Sequence, residues 1–223
     1  FYRNKRENTI IISSDCLEMK DHCHCTAYGI KPWSEDGADM AVMIVGDVVL
    51  LRVISEKGSN FRNSFLTDLA PAAADLVSEA ENAHMKAEAM LREAWRDLPD
   101  YKATGELVSE AHPEIWKKYA ARCVSCGACT TICPTCSCFL LIDRPEFEKV
   151  KQMDACQYPG FERVAGGEDS LFRLPDRFRN RYMCKYVWKP QKFHSPACTG
   201  CGRCTEGCIG KIDKNELFLE LSK

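Results

Sequence analysis

Cys123-Val-Ser-Cys126-Gly-Ala-Cys129-Thr-Thr-Ile-Cys133-Pro134 and Cys198-Thr-Gly-Cys201-Gly-Arg-Cys204-Thr-Glu-Gly-Cys208-Ile209 share one spacing, C-x2-C-x2-C-x3-C. Each run packs four thiols into eleven residues. Three cysteines two residues apart on a turning loop supply three converging thiolates from one short segment, and a fourth comes from elsewhere. Zinc is the plainer alternative, since paired C-x2-C elements build tetrahedral all-cysteine sites. Such sites call for two pairs and not for a third cysteine at the same interval.

The doubled run fits two 4Fe-4S clusters in which the last cysteine of each run crosses to the other cluster. That reading assigns Cys123, Cys126, Cys129 and Cys208 to one cluster and Cys198, Cys201, Cys204 and Cys133 to the second. Pro134 suits the pattern because proline fixes φ and turns the chain away after the crossing ligand. Ile209 takes that place in the second run, which weakens the turn argument but removes no ligand. Gly127, Ala128, Gly200 and Gly202 keep the loops small, so that backbone N–H groups can approach inorganic sulfide.

Seven of the fifteen cysteines remain. Cys16, Cys23 and Cys25 follow an expected buried strand at Thr9–Ser13 and form a candidate third 4Fe-4S site whose fourth ligand is unknown. With His22 and His24 beside them, zinc is a rival, as are unliganded thiols. Cys136, Cys138, Cys156 and Cys184 read as small apolar residues buried near the clusters. His84, His112 and His194 read as surface or packing histidines.

The 223 residues are 45% hydrophobic with a net charge of −2, so neither nucleic acid nor an anionic membrane is an expected partner. No apolar run reaches the ~18 residues of a spanning helix, no secretory leader is evident, and the cysteine usage points to a reducing compartment, so a cytoplasmic location is expected. The chain begins at Phe1 and reads as truncated upstream.

Met40–Ile54 is β-branched and broken by Gly46-Asp47, which predicts a hairpin with positive φ at the glycine. From Pro71 to Trp95, apolar residues at intervals of three and four predict one long core-packing helix capped near Thr67 or Asp68. Leu98-Pro99-Asp100 ends it, and the stretch to Pro113 reads as a connection, with the boundary near residue 100. Glu114–Arg122 is a short helix carrying Trp116 and Tyr119. The long 134–197 segment favours a helical dicluster domain, and Pro175–Lys189 is a helix with Phe178, Tyr182, Tyr186 and Val187 on one face. Its basic residues (Arg173, Arg177, Arg179, Arg181, Lys185, Lys189, with Lys192 beyond) read as a solvated face, with partner docking or positive potential at the clusters as the sharper readings. The expected fold class is α+β, with a mixed α/β domain at 1–100 and a mainly helical, α-helical-ferredoxin-like dicluster domain at 101–223.

The run from Cys123 through Phe139, with Asp154-Ala-Cys156, the Val-Ala-Gly-Gly within Phe161–Gly167, and Cys198 to Cys204, resembles the iron-sulfur subunits of soluble NiFe hydrogenases (sulfhydrogenase β subunits) and of anaerobic sulfite reductase. Arg6-Glu-Asn-Thr-Ile10 and Cys23-His-Cys-Thr26 add to it. The resemblance implies a non-catalytic electron-transfer subunit of a hetero-oligomer, between a flavoprotein handling NAD(P)H and a catalytic redox subunit. It also implies an upstream segment with a further cysteine that would complete the Cys16, Cys23, Cys25 site. A heterodisulfide-reductase-type helical ferredoxin subunit is the nearest alternative, and an iron-sulfur sensor a more distant one. No phosphate-cradling loop, nucleophile with a base, or nucleic-acid reader is legible.

Overall fold

The computed structural model describes residues 1–223 as two compact units, 1–19 with 30–94 and 20–29 with 95–223. The fold class is α+β, with two small separate sheets among short helices.

The first unit holds α1 (Tyr2–Glu7), β1 (Ile12–Ser14), β2 (Met40–Val45), β3 (Val48–Val53), α2 (Glu56–Phe65) and α3 (Ala74–Ala94). Val45 pairs with Val48, so Gly46-Asp47 is the expected two-residue turn, with Gly46 at φ +56. β1 runs parallel to β2, with Ile12 opposite Met40. It starts later than expected and is not buried: Ile12 is 48% exposed, because a three-residue edge strand is covered on one side only.

Asp39 holds this unit together. Its carboxylate, 1% exposed, accepts from Arg6 Nη1 and Nη2 at 3.0 and 3.1 Å, from the Ile11 amide at 2.8 Å and from Ser55 Oγ at 2.8 Å. Those bonds hold its pKa well below the usual carboxylate range, the Arg6 guanidinium contributing most.

α3 begins at Ala74, so neither Thr67 nor Asp68 caps it. Ala87 and Leu91 are buried and the helix packs on β2, but Val77 and Met90 stay exposed, so its stripe is core along only part of its length. α2 escapes the apolar-period reading because Gly58, Ser59 and Asn60 are weak helix formers; Ser55 Oγ caps it by accepting from the Gly58 amide. His84 bonds Asp15 at 2.8 Å and stacks on Trp33.

The second unit holds α4 (Tyr101–Glu110), α5 (Pro113–Ala120), α6 (Ala128–Thr131), β4 (Phe139–Asp143), β5 (Lys149–Met153), α7 (Leu174–Met183), a π-helical segment Cys184–Trp188, α8 (Lys189–Phe193), α9 (Arg203–Glu206) and α10 (Lys214–Leu221). α4 occupies the stretch expected as a connection: Asp100 caps it by accepting from the Ala103 amide, and Thr104, Gly105 and Val108 are buried. α5 starts at proline, with the exposed His112 as its cap.

Trp116, Tyr182, Tyr186 and Phe218 form the core, with Phe218 set edge-on to Tyr182 and Tyr186 at 5.8 and 5.0 Å between ring centres. Phe178, Tyr182 and Tyr186 thus face inward as expected, while Val187 is half-buried. The long inter-run segment also contains the β4–β5 hairpin, Phe139 opposite Met153, which the sequence reading did not foresee. No helix is long and apolar enough to cross a membrane.

Candidate metal centre

The two cysteine runs fold alike. Gly127 and Gly202, both at left-handed φ (+73 and +69), start α6 and α9, which pack together. In each half the helical turn closes through equivalent bonds, Thr130 and Thr205 amides to Gly127 and Gly202 carbonyls at 2.9 Å, and the fourth cysteine follows that turn. It is thereby carried off the centre its three predecessors surround.

Cys123, Cys126, Cys129 and Cys208 line one cavity. Cys133, Cys198, Cys201 and Cys204 line a second. Each cavity thus meets three cysteines of one run and the last cysteine of the other. Cys204 borders both cavities, as do Arg181 and Lys214.

The missing proline after the second run has a local substitute. The Lys211 amide donates to the Cys208 carbonyl at 3.0 Å, with Lys211 itself at φ +52, so the chain turns away without proline. The Ile212 amide points at Cys208 Sγ from 3.4 Å, a bond suited to a thiolate.

Three cations are buried at these cavities. Lys214 Nζ lies 3.5 Å from Cys198 Sγ, Lys185 donates to Thr135 Oγ1 and the Ala197 carbonyl, and Arg181 donates to the Cys129 carbonyl at 3.1 Å. Burial works to raise the Cys198 and Cys204 thiols. Lys214, the Tyr186 hydroxyl and the Gly200 amide outweigh it at Cys198, Arg181 and Lys214 outweigh it at Cys204, and both end below their ordinary value. An all-thiol donor set with its negative charge compensated by cations fits 4Fe-4S clusters.

These cations correct the reading of a solvated basic face. Arg177, Arg181 and Lys185 are each about 5% exposed or less. They recur every four residues, directly beside the Phe178, Tyr182, Tyr186 stripe, so a helix buried on one stripe buries the other. The i, i+4 repeat was the available signal. Lys214 carried none, being a single lysine at a helix start.

Gly200 and Gly202 do more than keep the loop small. A Cβ on Gly200 would stand 2.5 Å from Cys25 Cα, and one on Gly202 2.7 Å from the His22 carbonyl group. What approaches closely is the backbone of 22–25, tied down by the His24 amide donating to the Gly200 carbonyl at 2.8 Å. His24 is fully buried, its Nδ1 on the His22 carbonyl at 2.9 Å and its Nε2 3.0 Å from Lys214 Nζ. Burial and then Lys214 push its pKa down to about 3, so the ring is neutral. Both ring nitrogens are engaged, which leaves His24 without a lone pair for zinc. Cys23 and Cys25 belong to this second unit and Cys16 to the first.

Residues 122–212 match the 4Fe-4S dicluster domain family. The chain is also similar to sulfhydrogenase 2 subunit beta of Pyrococcus furiosus, 32% identical over 230 residues covering 99% of this chain. It spans 65% of that protein's length.

Proposed function

We propose that this chain, whose residues 122–212 match the 4Fe-4S dicluster domain family and which is similar to a sulfhydrogenase β subunit, holds two 4Fe-4S clusters and is the electron-transfer subunit of a hetero-oligomeric oxidoreductase. In that reading Cys123, Cys126, Cys129 and Cys208 hold one cluster and Cys198, Cys201, Cys204 and Cys133 the other. Two adjacent clusters supply one-electron conduction. The chain's own residues set its conditions: Arg181, Lys185 and Lys214 supply fixed positive charge, and the aromatic core around Tyr182 and Tyr186 excludes water.

The observation that carries the reading is the crossing of Cys133 and Cys208 between two cavities that share Cys204. The redox partners proposed are a flavoprotein linked to NAD(P)H and a catalytic subunit of hydrogenase or sulfite-reductase type.

The test is anaerobic isolation with native partners, EPR of the reduced protein, and Cys208→Ser compared with Cys133→Ser. Each replacement is expected to alter the signal of the cluster held mainly by the other run. Zinc without acid-labile sulfide in the intact complex discards the reading.

A further inference from the structure

The two cysteine runs fold alike but are not covered alike. In the second run Gly200 and Gly202 press on the backbone of residues 22–25, and Cys198 is 8% exposed. The corresponding positions of the first run are Ser125 and Gly127. Gly127 faces the ring of Tyr158 rather than a stretch of backbone, and Ser125 carries a side chain at φ +54 where the second run has the glycine that admits the covering segment. The consequence shows in exposure. Val124 is 59% exposed and Cys126 is exposed, whereas their counterparts Thr199 and Cys201 are half-buried. Val124 and Cys126 both line the first cavity, so that cavity has an edge open to solvent.

The open edge is apolar with a basic border. A Cβ on Gly210 would stand 2.1 Å from the Arg122 carbonyl oxygen and one on Gly207 3.5 Å from Ile132 Cδ1, so the 207–210 turn lies directly against the first run. Ile209 in that turn is 67% exposed and Ile132 43%. Isolated exposed apolar residues are ordinary, but Val124, Ile132 and Ile209 stand on the segments that carry the ligands of one redox cavity. The same Gly210 contact sets Arg122 beside Lys211. Both side chains are exposed and neither forms an ion pair, although Lys117 and Lys118 on the preceding helix are engaged by Glu114 and Glu220. Glu206 lies 4.0 Å from His22 Nε2, on the side of the 22–25 cover.

We propose that this edge is the docking surface for another subunit of the hetero-oligomer, one that presents an apolar centre bordered by carboxylates, and that the first cluster rather than the second faces it. The inference rests on the proposed electron-transfer role and adds which cluster meets the partner. Apolar contact around Val124, Ile132 and Ile209 supplies affinity, and the unpaired Arg122 and Lys211 steer an acidic surface and fix its register. A second copy of this chain fits the edge poorly, because a two-fold contact would set Arg122 and Lys211 against the same cations.

The test uses the full chain in its native complex, purified without oxygen and treated with a carbodiimide, which joins a lysine amine to a carboxylate in direct contact. Lys211 is expected to be joined to an Asp or Glu of a different subunit, and Arg122→Lys to add a second link to that same subunit. Lys211 linked only within this chain, linked to a second copy of it, or left unlinked overturns the proposal. Ile209→Glu, at an exposed position, should lower recovery of the linked subunit about tenfold while iron and acid-labile sulfide stay at the level of the unaltered chain. Unchanged recovery overturns the proposal as well. If Ile209→Glu sheds iron, the cross-link decides alone. Failure of the underlying reading looks different: a complex without acid-labile sulfide removes the electron-transfer role and this surface together, whereas intact clusters with no link from Lys211 remove the surface alone.

Discussion

The ammonium of Lys214 sits 3.0 Å from Nε2 of His24; both side chains are buried, and Lys214 lines the second cysteine cavity. Since His24 gives its Nδ1 proton to the His22 carbonyl, its Nε2 accepts from the lysine, whose ammonium also lies 3.5 Å from Cys198 Sγ. A fixed cation there favours the reduced, more negative cluster.

Lys214→Met is therefore expected to lower the potential of the cluster held by Cys198. For a unit charge a few ångströms from the sulfur at an effective dielectric near 20, the shift is on the order of 100 mV. Redox titration followed by EPR measures it, with iron content as the control. An unmoved potential removes Lys214 from the tuning role.

Gly202→Ala should loosen the seat of the 22–25 segment. The added Cβ meets backbone at His22, and the left-handed φ adds about 1–2 kcal/mol for any side chain. Lower thermal stability and faster loss of the visible cluster absorbance in air are the expected readouts. Gly166→Ala, where a Cβ meets nothing and φ is not positive, should be close to neutral.

Acid should weaken the first unit through Asp39. Its pKa is lower in the folded than in the unfolded chain, so its contribution is complete above the unfolded carboxylate value near 3.9 and is lost as pH falls through the folded one. Asp39→Asn should flatten the dependence of unfolding on pH below about 4 while lowering stability at neutral pH. Chemical denaturation across pH 2–7 tests both parts. Parallel curves for the two proteins contradict the assignment.

Phe218→Ala should cost about 3–5 kcal/mol, because the ring is fully buried against Tyr182 and Tyr186 and the site has little room to collapse. Those tyrosines lie on the helix that carries Arg181 and Lys185, so EPR line shapes should broaden along with the stability loss. Retained stability would mean that this aromatic contact does not support the cluster walls.

The chemistry of the chain was legible because it is local. Two runs of four cysteines at fixed intervals specify converging thiolates whatever surrounds them, and the turn at Gly46-Asp47 and the stripe Phe178, Tyr182, Tyr186 likewise follow from neighbours in sequence. Two facts needed the tertiary structure. Arg177, Arg181 and Lys185 looked solvated until the cavities supplied the negative partners that make burying a cation tolerable. Gly200 and Gly202 looked like room for sulfide until residues 22–25, far away in the chain, proved to press against them. Spacing encodes what a short segment does to itself, whereas burial, compensation of charge and the meeting of distant thiols depend on which surfaces the whole fold excludes from water.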